Sequence, residues 1–164
     1  MQTNLTWKKG IFSNLYKIYS NGVQIGNLKD KSFSSTCIGA LDNKEYLFQT
    51  KGFCTPKTQI IDTAENKTVG EITYNSWMTK ATITINDTTI QWKFDNLWGT
   101  KWSIFNSEGI MIKYSSSLTG GQIDSNTDDA LFVLSGLFVA NYYWQMTIVI
   151  VVAVIVPMST TVSR

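Results

Sequence analysis

Asp128-Asp129 is the one adjacent pair of carboxylates in the chain, and paired carboxylates are the first place to look for acid–base chemistry. Helix capping accounts for them more simply. Ser125-Asn-Thr-Asp-Asp129 offers a Ser or Thr cap followed by acids in a first turn, where the helix dipole favours negative charge. Asp42, Asp62, Asp87 and Asp95 stand at or beside turn signals, where an Asp side chain bonds nearby backbone N–H groups. Gly120-Gly121 lacks the following Lys-Ser/Thr of a phosphate loop. The chain has no His, the side chain most used for proton transfer near neutral pH and the commonest metal ligand. Cys37 and Cys54 make neither a CxxC pair nor a zinc set. They read as two buried thiols, with a single disulfide as the alternative if their strands are neighbours. The expectation is a chain with no catalytic residues, no metal site and no cofactor.

Binding chemistry has more candidates. Lys8-Lys9, Lys29-Asp30-Lys31 and Lys101 are the basic groupings, and anionic phospholipid headgroups attract such residues by about 1 kcal/mol each near a bilayer surface. Scattered solvating lysines are the plainer reading. Trp98-Gly-Thr-Lys-Trp102 could form an aromatic and basic lip at a membrane interface, where Trp is enriched; a Trp in the core of an all-β domain fits the same residues. A formal net charge of +2 in 164 residues is far from the basic surplus of a nucleic-acid binder.

These residues must be carried by strands. The chain is 43% hydrophobic, 16% charged and 13% aromatic, with Thr and Ile abundant, a composition that suits pleated sheet and excludes disorder. From Leu5 to about Asp124, short alternating runs are separated by turn signals. Leu15–Tyr19 and Val23–Leu28 flank Ser20-Asn21-Gly22, and Asn-Gly favours a type I′ hairpin turn because both central residues need positive φ. Lys80–Ile85 and Thr88–Phe94 flank Asn86-Asp87, with Ile83, Ile85, Ile90, Trp92 and Phe94 as core-facing candidates. Further pairs are 35–41 with 45–49, 59–62 with 69–74, and 101–105 with 110–114, before a last short strand at 120–124. The fold class is therefore mainly β, an antiparallel barrel of about twelve strands over residues 1–124, within one domain.

Residues 125–157 read differently. From Ala130 to Met158 there is no charge at all, and Pro157 is the expected stop. Three arrangements fit. A run this long and apolar could cross a membrane as a tail anchor. It could be a helix buried on every face inside the barrel, which a ring of twelve strands is wide enough to hold. Or Ile148–Val156, almost wholly β-branched, could be a buried strand. Strands of seven residues tilted by ~40° make a barrel ~18 Å tall, which a helix crosses in about twelve to sixteen residues. On that arithmetic Ala130–Gln145 fills the barrel and Thr147–Val156 projects.

The hairpin series from Leu15 to Tyr114, the Gly120-Gly-Gln-Ile-Asp124 approach and the hydrophobic run Asp128–Ala140 together resemble the tubby C-terminal-like superfamily, which includes the LURP-one-related proteins and the phospholipid scramblases. The resemblance is one of architecture over nearly the whole chain. It implies a barrel around a central helix and an association with membranes and lipids. The expected function is a non-enzymatic membrane- or lipid-associated binding module, with anionic phospholipid or a protein as partner and no nucleic acid. The alternative is a tail-anchored membrane protein whose β domain is a cytosolic, partner-binding head. The polar N-terminus, Met1–Gly10, carries no secretory core, so a cytoplasmic setting is expected.

Overall fold

The computed structural model describes residues 3–31, 35–52 and 54–160, with side chains described as far as Ala153. Twelve strands follow one another: β1 (Thr3–Lys9), β2 (Leu15–Ser20), β3 (Val23–Asp30), β4 (Thr36–Leu41), β5 (Lys44–Lys51), β6 (Lys57–Asp62), β7 (Lys67–Tyr74), β8 (Lys80–Ile85), β9 (Thr88–Phe94), β10 (Lys101–Phe105), β11 (Met111–Ser117) and β12 (Gly120–Ser125). Among the described residues one helix, α1 (Ala130–Thr160), follows the strands. Each strand pairs antiparallel with the next, and β12 closes on β1 through Leu5↔Ile123 and Lys8↔Gly120. The sheet is a closed meander barrel with no unpaired edge.

Local chemistry sets the hairpins. Asn21 (φ 48°) and Gly22 (φ 82°) both adopt positive φ, as do Asp42 (φ 51°) and Asn43 (φ 63°), so both turns have the twist that matches paired strands. Lys44, which the sequence places in the second turn, is instead the first residue of β5. Alternation then decides what faces inward. Ala81, Ile83 and Ile85 of β8 and Ile90 and Trp92 of β9 are buried, while Phe94 is half-buried at the barrel end.

The helix fills the space the strands enclose. Ala130–Asn141 and Tyr143 are all buried, which is the condition for a helix apolar on every side to be stable. Phe138 stacks on Phe48 with ring centroids 4.6 Å apart. The backbone carbonyl of Gly136 accepts two indole N–H bonds, from Trp92 and Trp102, each at 3.0 Å. Tyr114 donates its hydroxyl to the Val133 carbonyl at 3.0 Å. A Cβ at Gly136 would stand 2.2 Å from that same hydroxyl oxygen, so only glycine lets the helix backbone meet the aromatic wall here.

Both ends of α1 differ from the sequence reading. Its first residue is Ala130, because Ser125 belongs to β12 and residues 126–129 carry the chain across the open barrel end. The cap is Asp129, whose carboxylate accepts the Leu131 N–H at 2.8 Å and whose carbonyl accepts the Val133 N–H at 3.3 Å. Pro157 does not end the helix, which runs to Thr160; proline's own φ is helical, so the backbone continues past the one bond it cannot donate. Ile148–Val156 is helix and not strand.

Candidate functional site

In an antiparallel meander, successive connections alternate between the two ends of the barrel. The β1–β2, β3–β4, β5–β6, β7–β8, β9–β10 and β11–β12 connections therefore share one end, and the register fixes which. Ser125 and Thr3 pair at the end where α1 begins, and Gly120 and Lys8 pair at the other. The helix starts at the first end, crosses the barrel and leaves through the second, the exit mouth.

A polar girdle holds the helix at that mouth. The Asp30 carboxylate, at the end of β3, accepts from the Asn141 amide at 2.6 Å and from the Gln145 amide. Tyr16 of β2 donates its hydroxyl to the Asn141 side-chain oxygen at 2.8 Å, and the Lys9 ammonium donates to the Tyr16 oxygen at 3.2 Å. Burial lowers the Lys9 pKa, opposed by attraction to Asp30. Burial, followed by the Asp30 charge and hydrogen bond, pushes the Cys37 thiol up. Burial raises Tyr16 as well, with Asp30 adding to it. Asn141 is fully buried, so each of its polar atoms needs a partner, and the girdle supplies them. Aromatic rings close the mouth beside it. Tyr74 packs on Tyr142 with centroids 4.4 Å apart, and Trp102 meets Trp144 edge-on at 5.3 Å. Two clefts open between helix and wall. One of about 180 Å³ lies over Asp30, Cys37, Phe138 and Asn141. The other, about 420 Å³, lies between the Cys54–Lys57 and Thr73–Met78 segments, against Tyr142 and Tyr143.

Beyond the girdle the helix leaves the protein. Ile148, Val149, Ile150, Val151 and Val152 are each between 48% and 63% exposed. They stand on all sides of one turn and a half, so no face of this segment packs on the barrel. Val154, Ile155 and Val156 continue the apolar run in sequence, and their side chains lie outside the described ones. The helix is long and apolar enough to cross a membrane by length and composition, but its first half is already used as the barrel core.

The residues singled out from sequence fall unevenly. Lys8, Lys29, Lys31 and Lys101 are exposed at the exit mouth. Lys9 shares that end but turns inward against the Tyr16 ring, 4.5 Å from its centroid, which removes it from the exposed set. Trp98 is 88% exposed in the β9–β10 connection, whereas Trp102 is 0% exposed. The lip proposed for the two tryptophans is therefore corrected. They are four positions apart, but Trp102 is on the inward row of β10 and donates its indole N–H inside the core. The cysteine reading is corrected in part: Cys37 is buried, Cys54 is exposed, and both are free thiols. Among the described residues, no three His, Cys, Asp or Glu side chains are grouped to hold a metal.

Sequence reasoning missed the polar girdle and, apart from Trp98, the exposed apolar loop tips. Asn141 and Gln145 are four apart, hence on one helix face, and polar pairs inside an uncharged run signal a partner. Comparison with models of protein families, with curated proteins and with solved structures finds no match to this chain.

Proposed function

We propose that this protein is a membrane-associated binding module, a β-barrel attached to a bilayer by the part of its central helix that leaves the exit mouth. The observation that carries the reading is the exposure of Ile148–Val152 on a helix whose first twelve residues, Ala130–Asn141, are all buried. In water such a segment has little support. A β-branched helix of this length without tertiary contacts is marginal, because nucleation is costly and Val and Ile lose side-chain freedom. In hydrocarbon the same residues are stabilised, and their backbone bonds are satisfied within the helix. From Thr147 to Thr160 the helix rises about 21 Å, deeper than one leaflet of a hydrocarbon core about 30 Å thick.

The architecture is also what the tubby-like resemblance implies, and kinship with that superfamily is part of the proposal. So is a cytosolic position of the barrel, with no chemistry of its own. The test is flotation of the full chain with neutral phosphatidylcholine vesicles, compared with a Val149→Asp, Val152→Asp variant. The wild-type chain is expected to float and to resist a carbonate wash, and the variant to stay at the bottom while keeping its β-sheet circular dichroism. A wild-type chain that remains in solution with vesicles present would contradict the reading.

A further inference from the structure

The exposed apolar residues are not scattered over the barrel. Ile11 and Phe12 lie in the β1–β2 connection, Trp77 in β7–β8, Leu97 and Trp98 in β9–β10, and Leu118 in β11–β12. All of these connections are at the exit mouth, around the projecting helix. Trp77 is 84% exposed and Leu97 and Phe12 are entirely so. At the opposite end the turns are Asn21-Gly22, Asp42-Asn43, Thr63–Asn66, Asn86-Asp87 and Asn106–Ile110, and among the described residues the large exposed hydrophobics there are Val23 and Met111.

Charge divides along the same axis. Exposed lysines at the exit mouth include Lys8, Lys29, Lys51, Lys57, Lys80 and Lys101. Lys57 is shared with Glu71 at 3.2 Å. Among the described residues the other carboxylates toward that end are Asp30, turned into the girdle, and Asp95, which accepts from Ser103 at 3.0 Å. The opposite end carries Asp42, Glu65, Asp87, Glu108 and Asp128, with Lys44 and Lys67 among them. A net charge of +2 thus conceals a barrel that is basic where it is apolar and acidic where it is polar.

We infer that the exit rim is a collar that seats on an anionic phospholipid bilayer, holding the barrel upright around the inserted helix with its acidic end pointing away. The inference rests on the membrane attachment proposed above and deepens it by naming the lipid class and the orientation. Apolar tips separated by lysines match the interfacial zone, where aromatic rings sit at headgroup level and Lys side chains meet phosphate. A protein partner would instead need one contiguous apolar patch, and here the tips are set on separate loops around a central helix. Anionic lipid attracts the basic end and repels the acidic one, so both terms favour the same pose.

The test uses the full chain and two vesicle types, phosphatidylcholine alone and phosphatidylcholine with about one-third phosphatidylserine. Affinity for the anionic vesicles is expected to exceed that for neutral ones at least tenfold at low salt, with the gap closing as salt rises. A Lys29→Glu, Lys101→Glu variant should lose most of that gap and keep its binding to neutral vesicles. Lipids brominated near the headgroup should quench tryptophan fluorescence in the wild type, and much less in a Trp77→Ser, Trp98→Ser variant. Equal affinity for both vesicle types, or quenching unchanged without Trp77 and Trp98, would overturn the collar while leaving helix insertion standing. Conversely, if Val149→Asp, Val152→Asp leaves anionic binding salt-sensitive and Trp77 and Trp98 quenched, the collar holds without the anchor.

Discussion

At the scale of single residues, Gly136 and its neighbour Ser135 make opposite demands. Gly136 is where two indoles and a tyrosine meet the helix backbone. Ser135 is fully buried and its hydroxyl has no partner. Gly136→Ala is expected to destabilise the fold by about 2 kcal/mol or more, because the clash with Tyr114 outweighs the gain of about 1 kcal/mol in helix propensity. Ser135→Ala should be neutral or stabilising, since it removes an unsatisfied hydroxyl. Thermal melts of the two variants check this, and equal effects would contradict it. Burial also raises the pKa of Tyr16, Tyr74 and Tyr114. In the unfolded chain these groups titrate near about 10. The raised folded values mean that stability is intact below that pH and is lost as pH climbs above it, because only the unfolded state can then ionise. Melting temperature is expected to hold from about pH 7 to 9 and to fall steeply beyond about 10; a flat profile to higher pH would contradict the buried-tyrosine account.

At the scale of elements, the strands were legible because each has a local signature. Thr82, Thr84 and Gln91 alternate with Ile83, Ile85 and Ile90, and Asn-Gly and Asn-Asp mark the turns. The helix was legible only in part. Its apolar run predicts burial somewhere, but the two environments along it differ in ways that composition does not record. Ala130–Asn141 meets aromatic walls, and Ile148–Val152 meets nothing. Asn141 and Gln145 mark the border, and they carry meaning only once Asp30 is placed opposite them. The helix start was missed for a related reason. Ser125 looks like a cap in sequence, but its neighbours on β1 and β11 pair with it and draw it into the sheet. Trp98 and Trp102 show the same limit, since spacing cannot tell a loop tip from an inward strand row.

At the scale of the whole molecule, the proposed function depends on a property that no single motif carries. The meander gathers alternate connections at one end, so apolar tips and lysines that are dozens of residues apart surround the helix exit. Counting connections in sequence would have grouped Phe12, Trp77, Trp98 and Leu118, because all fall in turns of the same parity. The pose on a membrane would have needed the helix direction as well, which rests on where β12 delivers the chain. The central claim is that one helix serves as barrel core in its first half and as membrane anchor in its second. Amide hydrogen exchange of the full chain, with and without phosphatidylserine-containing vesicles, tests both halves together. Ala130–Asn141 is expected to be among the most protected segments in either condition, and Thr147–Ala153 to exchange rapidly in solution and become protected with vesicles. Fast exchange of Ala130–Asn141 in solution, or exchange of Thr147–Ala153 indifferent to vesicles, would contradict the account.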